Sequence, residues 1–229
     1  LLKNQEEFMG SLAHEMKTPL TSIIGYADLM RIENLSEEEQ KEACGYIYSE
    51  GKRLQNLSLK LMNLLVLKNQ EFQMKKQNLV PMIHEVISSM QYRLQEQKIL
   101  VNLNLKPTIC EVEADLLKSL ILNLVDNSLK SMNVGGILTI ECCPAQEGAK
   151  IYVSDTGCGM PKGELDKITE AFYRVDKSRS RKQGGVGLGL ALCKEIVRIH
   201  KGDMEFISQE EKGTTAIITI GGGHYEKTD

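Results

Sequence analysis

His14 sits in the run Phe8-Met9-Gly10-Ser11-Leu12-Ala13-His14-Glu15-Met16-Lys17-Thr18-Pro19-Leu20. It lies two residues beyond Leu12 and two before Met16, off the apolar positions of a helical pattern, so its ring faces solvent or a partner. A neutral imidazole is a good nucleophile near neutral pH. The adjacent Glu15 carboxylate is placed to hold the ring's other N–H, fixing the tautomer and stabilising the charge that forms. Thr18 falls one turn on, on the same face, and Pro19 removes a backbone hydrogen bond and predicts a bend just after the histidine. A histidine–glutamate pair alone is ordinary helix surface. His84-Glu85 is such a pair; no Thr-Pro follows it, and it reads as helix surface or packing.

A second constellation lies further along. In the helical stretch Ala114 to Met132, residues Leu116, Leu117, Leu120, Ile121 and Leu124 form an apolar stripe, while Asn123, Asn127 and Lys130 fall together on another face. Mg2+ takes oxygen ligands and is often held by few protein groups plus nucleotide phosphates, a role an asparagine carbonyl can fill. Lys130 is placed to neutralise phosphate charge. Ser154-Asp155-Thr156-Gly157-Cys158-Gly159-Met160-Pro161 ends a strand with an acceptor-only carboxylate and a glycine turn, able to read the amino group of adenine. Gly184-Gly185-Val186-Gly187-Leu188-Gly189-Leu190 then runs into a helix. There glycine lets backbone N–H groups approach phosphates, and the helix N-terminus favours negative charge. This is neither a G-x-x-x-x-G-K-[ST] loop nor the βαβ spacing of a dinucleotide fold, so order and combination carry the inference.

Two kinds of element must position these residues. Phe8, Leu12, Met16, Leu20, Ile23, Ala27 and Met30 recur at spacings of three and four, the period of a long amphipathic helix. Ser36 followed by Glu39 is a capping-box pattern, and Ile47, Leu54, Leu57, Leu61 and Leu64 give a second stripe. Together they predict a helical hairpin. It buries too little apolar surface to stand alone, so its seams predict homodimerisation as a four-helix bundle through residues 1–70. From residue 71 to 229 strand-like stretches (Ile99 to Leu105, Ile137 to Ile140, Ile151 to Val153, Ala216 to Ile220) alternate with helical ones (Val80 to Gln95, Ala114 to Met132, Gly187 to His200), predicting a second domain of mixed α and β character. Thr156 to Gly185 is polar and lacks steady periodicity, the mark of a functional loop, and Gly221 to Asp229 reads as a frayed tail.

Charge is nearly balanced, 28 Lys and Arg against 31 Asp and Glu, so no global field invites nucleic acid. The six cysteines form no C-x-x-C pair, which suits a reducing cytosol better than zinc or a disulfide framework. No apolar run approaches the roughly 20 residues a bilayer requires. The opening Leu1-Leu2-Lys3, in mid-helical pattern, predicts an excised fragment, with anything upstream, including a membrane anchor, outside this sequence.

These segments resemble, in order, the conserved boxes of the sensor histidine kinases of two-component systems. His14 to Leu20 is similar to the H box, Asn123 to Lys130 to the N box and Asp155 to Gly159 to the first glycine box. Phe172-Tyr173-Arg174-Val175-Asp176 resembles the F box, Gly185 to Leu190 the second glycine box and Gly213-Thr214-Thr215 the last. The resemblance implies a dimeric helical hairpin joined to an α/β sandwich of the Bergerat type shared with gyrase, Hsp90 and MutL. It implies autophosphorylation of His14 with ATP and Mg2+, transfer to an aspartate on a response regulator receiver domain, and dephosphorylation of that partner through Glu15 and Thr18. By position, Glu15 is the acid–base partner, Asn127 the Mg2+ ligand, Asp155 the adenine reader, Lys130 and Arg174 phosphate contacts, and Thr156 to Gly184 the mobile lid. Asn123, Gly157, Gly159, Phe172, Gly185, Gly187, Leu188, Gly189 and Thr214 are implied at the nucleotide. Ser131 stands where an aromatic residue often follows the N-box lysine, and Val186 replaces the usual threonine. A gyrase-type ATPase needs a glutamate one turn before the Mg2+-binding asparagine, where this chain has Asn123; a non-catalytic relay has no use for an intact His14, Asn127 and Asp155.

Overall fold

The computed structural model describes residues 2–32, 35–132, 134–146, 148–175 and 185–221. Helix α1 spans Leu2–Ile32 and α2 spans Glu37–Asn69. The expected capping box starts α2: Ser36 N–H donates to Glu39 Oε2 (2.9 Å) and Ser36 Oγ accepts from Glu39 N–H (3.4 Å). Cys44 touches Met30, the Tyr26 and Tyr46 rings stack at 4.6 Å, and Glu15 meets Arg53, so α1 and α2 run antiparallel as a hairpin. Helix α1 continues through Pro19, with the Thr18 and Thr21 hydroxyls donating to the carbonyls of His14 and Lys17.

The second stripe packs where the sequence did not place it. Leu57 joins Val186 and Leu188 in a small apolar cluster with Leu12, Leu54 and Phe172, and Leu64 and Leu67 enter the main core of the following domain. These positions thus dock the hairpin onto its own chain. The rows Met9, Met16, Leu20 and Ile24 on α1 and Tyr48, Leu59, Met62 and Leu65 on α2 are left exposed in the single chain.

The second domain has the order β1 (Lys75–Asn78), α3 (Leu79–Ser89), α4 (Gln91–Glu96), β2 (Ile99–Leu105), β3 (Ile109–Val112), α5 (Ala114–Ser131), β4 (Gly136–Ala145) and β5 (Gly148–Asp155). A 3-10 turn at Lys162–Glu164, helix α6 (Gly189–Ile199), β6 (Asp203–Gln209) and β7 (Gly213–Ile220) follow. Five strands form one sheet in the order β2-β4-β5-β7-β6, with β2 and β4 parallel and the other pairs antiparallel. Strands β1 and β3 make a separate antiparallel pair. Alternation buries one face: Leu138, Ile140 and Cys142 from β4, Ala149, Ile151 and Val153 from β5, and Ala216, Ile218 and Ile220 from β7. Helices α3, α5 and α6 cover that face with Ile83, Leu117, Leu120, Ile121 and Ile196, giving a two-layer α/β sandwich. Buried His200 ties the end of α6 to the start of α5, accepting at Nε2 from Glu113 N–H (3.0 Å) while Nδ1 donates to the Ile196 carbonyl (2.7 Å).

Three differences from the sequence reading have local causes. The helical stretch 80–95 is broken at Met90 into α3 and α4. Strands β1 and β3 are four residues each, too short for a period to register, and β6 lay between readable elements. His84 is exposed on α3, and its neighbour Glu85 pairs with Lys118 (2.6 Å), as expected of ordinary helix surface. Among the described residues no helix is long and apolar enough to cross a membrane. The expected tail beyond Gly221 and the lid residues 176–184 lie outside the described residues.

Candidate active site

Strand β5 is the middle of the sheet, and Asp155 is its last residue, registered between Leu138 of β4 and Thr214 of β7. Its carboxylate accepts from three donors: Ser128 Oγ (3.0 Å), Ser131 Oγ (2.9 Å) and Gly157 N–H (2.9 Å). The two serines come from one face of α5, so helix and strand fix the carboxylate jointly. Gly157 must be small, because a Cβ there would lie 2.1 Å from Ser131 Oγ and 2.8 Å from Asp155 Oδ1.

Asp155 borders a cavity of about 500 Å³. Leu124, Val153, Met160, Ile168, Leu190 and Ala216 make its apolar walls, suited to a flat heterocycle. One turn back along α5, Asn127 lies where Gly189 opens α6, and Lys130, Arg174, Gly185 and Gly187 also line the space. Among the described residues the Asn127 amide makes no hydrogen bond, so its carbonyl is available. One protein oxygen beside nucleotide phosphates is the donor set that Mg2+ accepts. Gly187 has φ +76, and a Cβ there would come within 2.9 Å of the Phe172 Cα, so the loop requires glycine.

Of the residues expected at the nucleotide, Asn127, Lys130, Asp155, Gly159, Arg174, Gly185, Gly187, Gly189 and Thr214 line the cavity together. Asn123, Gly157, Phe172 and Leu188 do not. The Asn123 amide donates instead to the Ser119 carbonyl (2.8 Å), and Gly157 acts one step removed, through Asp155. Leu188 is buried against Leu57. Phe172 turns toward the hairpin, its ring 5.2 Å from that of Phe8. It holds φ 67, a costly conformation for a bulky residue, fixed by its N–H donating to the Gly187 carbonyl (2.9 Å).

Lys130 pairs with Asp126 (2.6 Å), which also accepts from Arg93 (2.7 Å). Burial raises the Asp126 pKa, but these two cations outweigh it and hold the carboxyl below its ordinary value.

His14, Glu15 and Thr18 lie on α1, outside the cavity. His14 is exposed, as expected. Its neighbour departs from expectation: Glu15 is buried, and its carboxylate is taken by two guanidinium groups rather than by the His14 ring. Arg53 of α2 donates to Glu15 Oε2 (3.0 Å), and Arg174 pairs with Oε1. Arg174 also donates to the Gly185 carbonyl (2.9 Å), so one side chain links the glycine-rich loop to the residue beside His14. Fixed cations win over a neutral imidazole as partners for a buried carboxylate, because only they compensate its charge. Sequence reasoning missed Ser128, Ser131 and Arg53. Ser131 showed only as a departure from pattern, and Arg53 gave no signal, since its partner is 38 residues away.

The family model of the His Kinase A (phospho-acceptor) domain matches residues 4–64. That of the histidine kinase-, DNA gyrase B- and HSP90-like ATPases matches residues 112–222. The chain belongs to the sensor histidine kinases. Sensor histidine kinase WalK of Bacillus subtilis (strain 168) is 31% identical to this chain over 229 residues, covering 95% of this chain and 37% of that protein. Sensor protein SrrB of Staphylococcus aureus (strain NCTC 8325 / PS 47) is 28% identical over 222 residues, covering 94% and 38%. The chain therefore spans well under half the length of these curated relatives. The solved structure of histidine kinase ThkA in complex with response regulator protein TrrA shares its fold, with a TM-score of 0.79 at 22% identity over 96% of this chain and 62% of that one.

Proposed function

We propose that residues 1–70 form a dimerisation and phosphoacceptor hairpin and residues 71–229 an ATP-binding domain, and that together they are the cytoplasmic kinase core of a larger sensor. The core moves the γ-phosphoryl group of ATP to His14, and from there to an aspartate on the receiver domain of a response regulator. The observation that carries this reading is the pairing, on one chain, of an exposed histidine with a cavity that sets a fixed carboxylate against Asn127, Lys130 and glycine-rich backbone. The family membership and the ThkA–TrrA fold likeness support it, and the exposed apolar rows of α1 and α2 support pairing of two hairpins.

Asp155 accepts the adenine amino group, and the apolar walls hold the ring. The helix α6 N-terminus, Lys130 and Arg174 meet the phosphates. Asn127 would hold Mg2+ through its side-chain carbonyl, and the ion would supply charge neutralisation at the phosphates. The lone pair of neutral His14 Nε2 attacks the γ-phosphorus, the bond to the bridging oxygen breaks, and ADP leaves; the work is alignment and charge neutralisation. His14 lies outside the cavity, so transfer requires Arg174 to leave Glu15 and the ATP-binding domain to turn on the hairpin. Glu15 and Thr18 then position water for dephosphorylating the partner protein. Asn123, with its amide tied to Ser119, is a poor base, which disfavours simple hydrolysis.

Incubation with Mg2+ and γ-labelled ATP should give acid-labile, alkali-stable label that is lost in His14→Gln and Asn127→Ala. Label that survives in His14→Gln, or ADP formed with no phosphohistidine, would overturn the proposal.

A further inference from the structure

The cavity is not built by the second domain alone. Lys60, in the C-terminal third of α2, lines it together with Asn127, Lys130 and the glycine loop. Its neighbours on the same face of α2 fix it there: Leu57 packs on Val186 and Leu188, and Leu64 enters the main core. The Lys60 stem is thus held between two buried anchors, one turn to either side.

The ammonium group has an unusual setting. Arg53, Arg93, Lys118, Lys130, Arg174 and Arg198 each have a carboxylate partner. Lys60 makes no ion pair among the described residues, although it lies close enough to Lys130 to be repelled by it. Burial pushes its pKa down, Lys130 pushes it further, and Asp126 opposes them in part. An unpaired cation held against another at the wall of a cavity is costly unless an anion joins them. The anion that the proposed function brings to Asn127 and Lys130 is the polyphosphate of the nucleotide.

We propose that Lys60 is a phosphate-binding residue of the nucleotide site, supplied by the phosphoacceptor hairpin, so that a bound nucleoside triphosphate bridges the hairpin and the ATP-binding domain. This rests on the nucleotide reading of the cavity. It adds that affinity for the phosphates, though not for the base, depends on where α2 sits. Bound nucleotide and hairpin position are therefore coupled, each biasing the other by the same factor.

The test measures binding of the γ-imido analogue of ATP and of AMP, both with Mg2+, to the whole chain and to Lys60→Ala, Lys60→Arg and Asp155→Ala. Loss of one charge-assisted contact weakens the triphosphate about tenfold in Lys60→Ala. AMP, with no β- or γ-phosphate, changes less than about twofold. Lys60→Arg, which keeps the charge, recovers most of the triphosphate affinity. Equal losses for both nucleotides would mean that Lys60 only supports packing, and no loss, or no recovery by arginine, would equally overturn the proposal. Asp155→Ala separates the two levels: it should weaken both nucleotides alike. If it leaves both unchanged, the nucleotide site itself is misassigned and the Lys60 assignment falls with it. If it weakens both while Lys60→Ala matches the wild type, only the Lys60 assignment falls.

Discussion

Gly157→Ala is expected to damage nucleotide binding through a steric conflict with a single partner. The new methyl carbon would lie 2.1 Å from Ser131 Oγ and 2.7 Å from Ser131 Cβ, while ordinary contact begins at 3.4 Å. Rotating the hydroxyl away does not relieve the Cβ contact, so α5 or the β5 turn has to move, and Asp155 moves with it. Overpacking of this size costs about 1–3 kcal/mol, equivalent to roughly 5- to 150-fold in affinity. The expected defect is therefore a loss in that range for the γ-imido analogue of ATP, by calorimetric titration, in a protein whose circular dichroism matches the wild type. Ser131→Gly removes both Ser131 contacts, while the 2.8 Å approach to Asp155 Oδ1 remains. Alone it should cost about 1 kcal/mol, for one lost donor; in the Gly157→Ala background it should restore about fivefold or more. Wild-type binding by Gly157→Ala, or a double variant weaker than either single one, would refute this account of the turn.

Arg53→Ala leaves buried Glu15 with Arg174 alone, and should destabilise the hairpin by about 1.5–3 kcal/mol in urea unfolding. A cycle with Glu15→Gln should show coupling above about 1 kcal/mol, and additivity within about 0.3 kcal/mol would mean that Arg53 acts by packing only. Asp126 is held below its ordinary 3.8 by Lys130 and Arg93, so its stabilisation is present above that value and fades as pH falls through the lower native pKa. Wild type should exceed Asp126→Asn by about 1–2 kcal/mol at neutral pH, with the gap closing in thermal scans below about pH 4; a gap constant with pH counts against the pairing.

What could be read in the sequence was what one element encodes by itself. The α2 capping box, the exposed His14, the strand that ends at Asp155 and the glycine entry to α6 each depend on residues a few positions apart. What could not be read was the choice between partners. The stripe Leu54, Leu57 and Leu64 is equally apolar whether it meets a second hairpin or Val186 and Leu188 of its own chain. Glu15 beside His14 looks like a ring partner until Arg53 and Arg174 arrive from 38 and 159 residues away. Phe172 lies in a motif that suggests the nucleotide, yet its left-handed backbone aims the ring at Phe8. Asn123 and Asn127 share a helix face, yet the first turns its amide back to the Ser119 carbonyl and the second lines the cavity.

The placement of Asp155 gives the two ends of the cavity different stiffness. One end is anchored to a central strand bonded on both sides to β4 and β7, and braced by two serines of α5. The other rests on the loop around Gly185 to Gly189 and on side chains from three separate segments. A ligand gripped this way is clamped like a lever at its base and left to swing at its tip. Under the proposed function, the clamped end would set which base is admitted, while the end spread over separate segments would follow a phosphoryl group as it departs without loosening the grip on what remains.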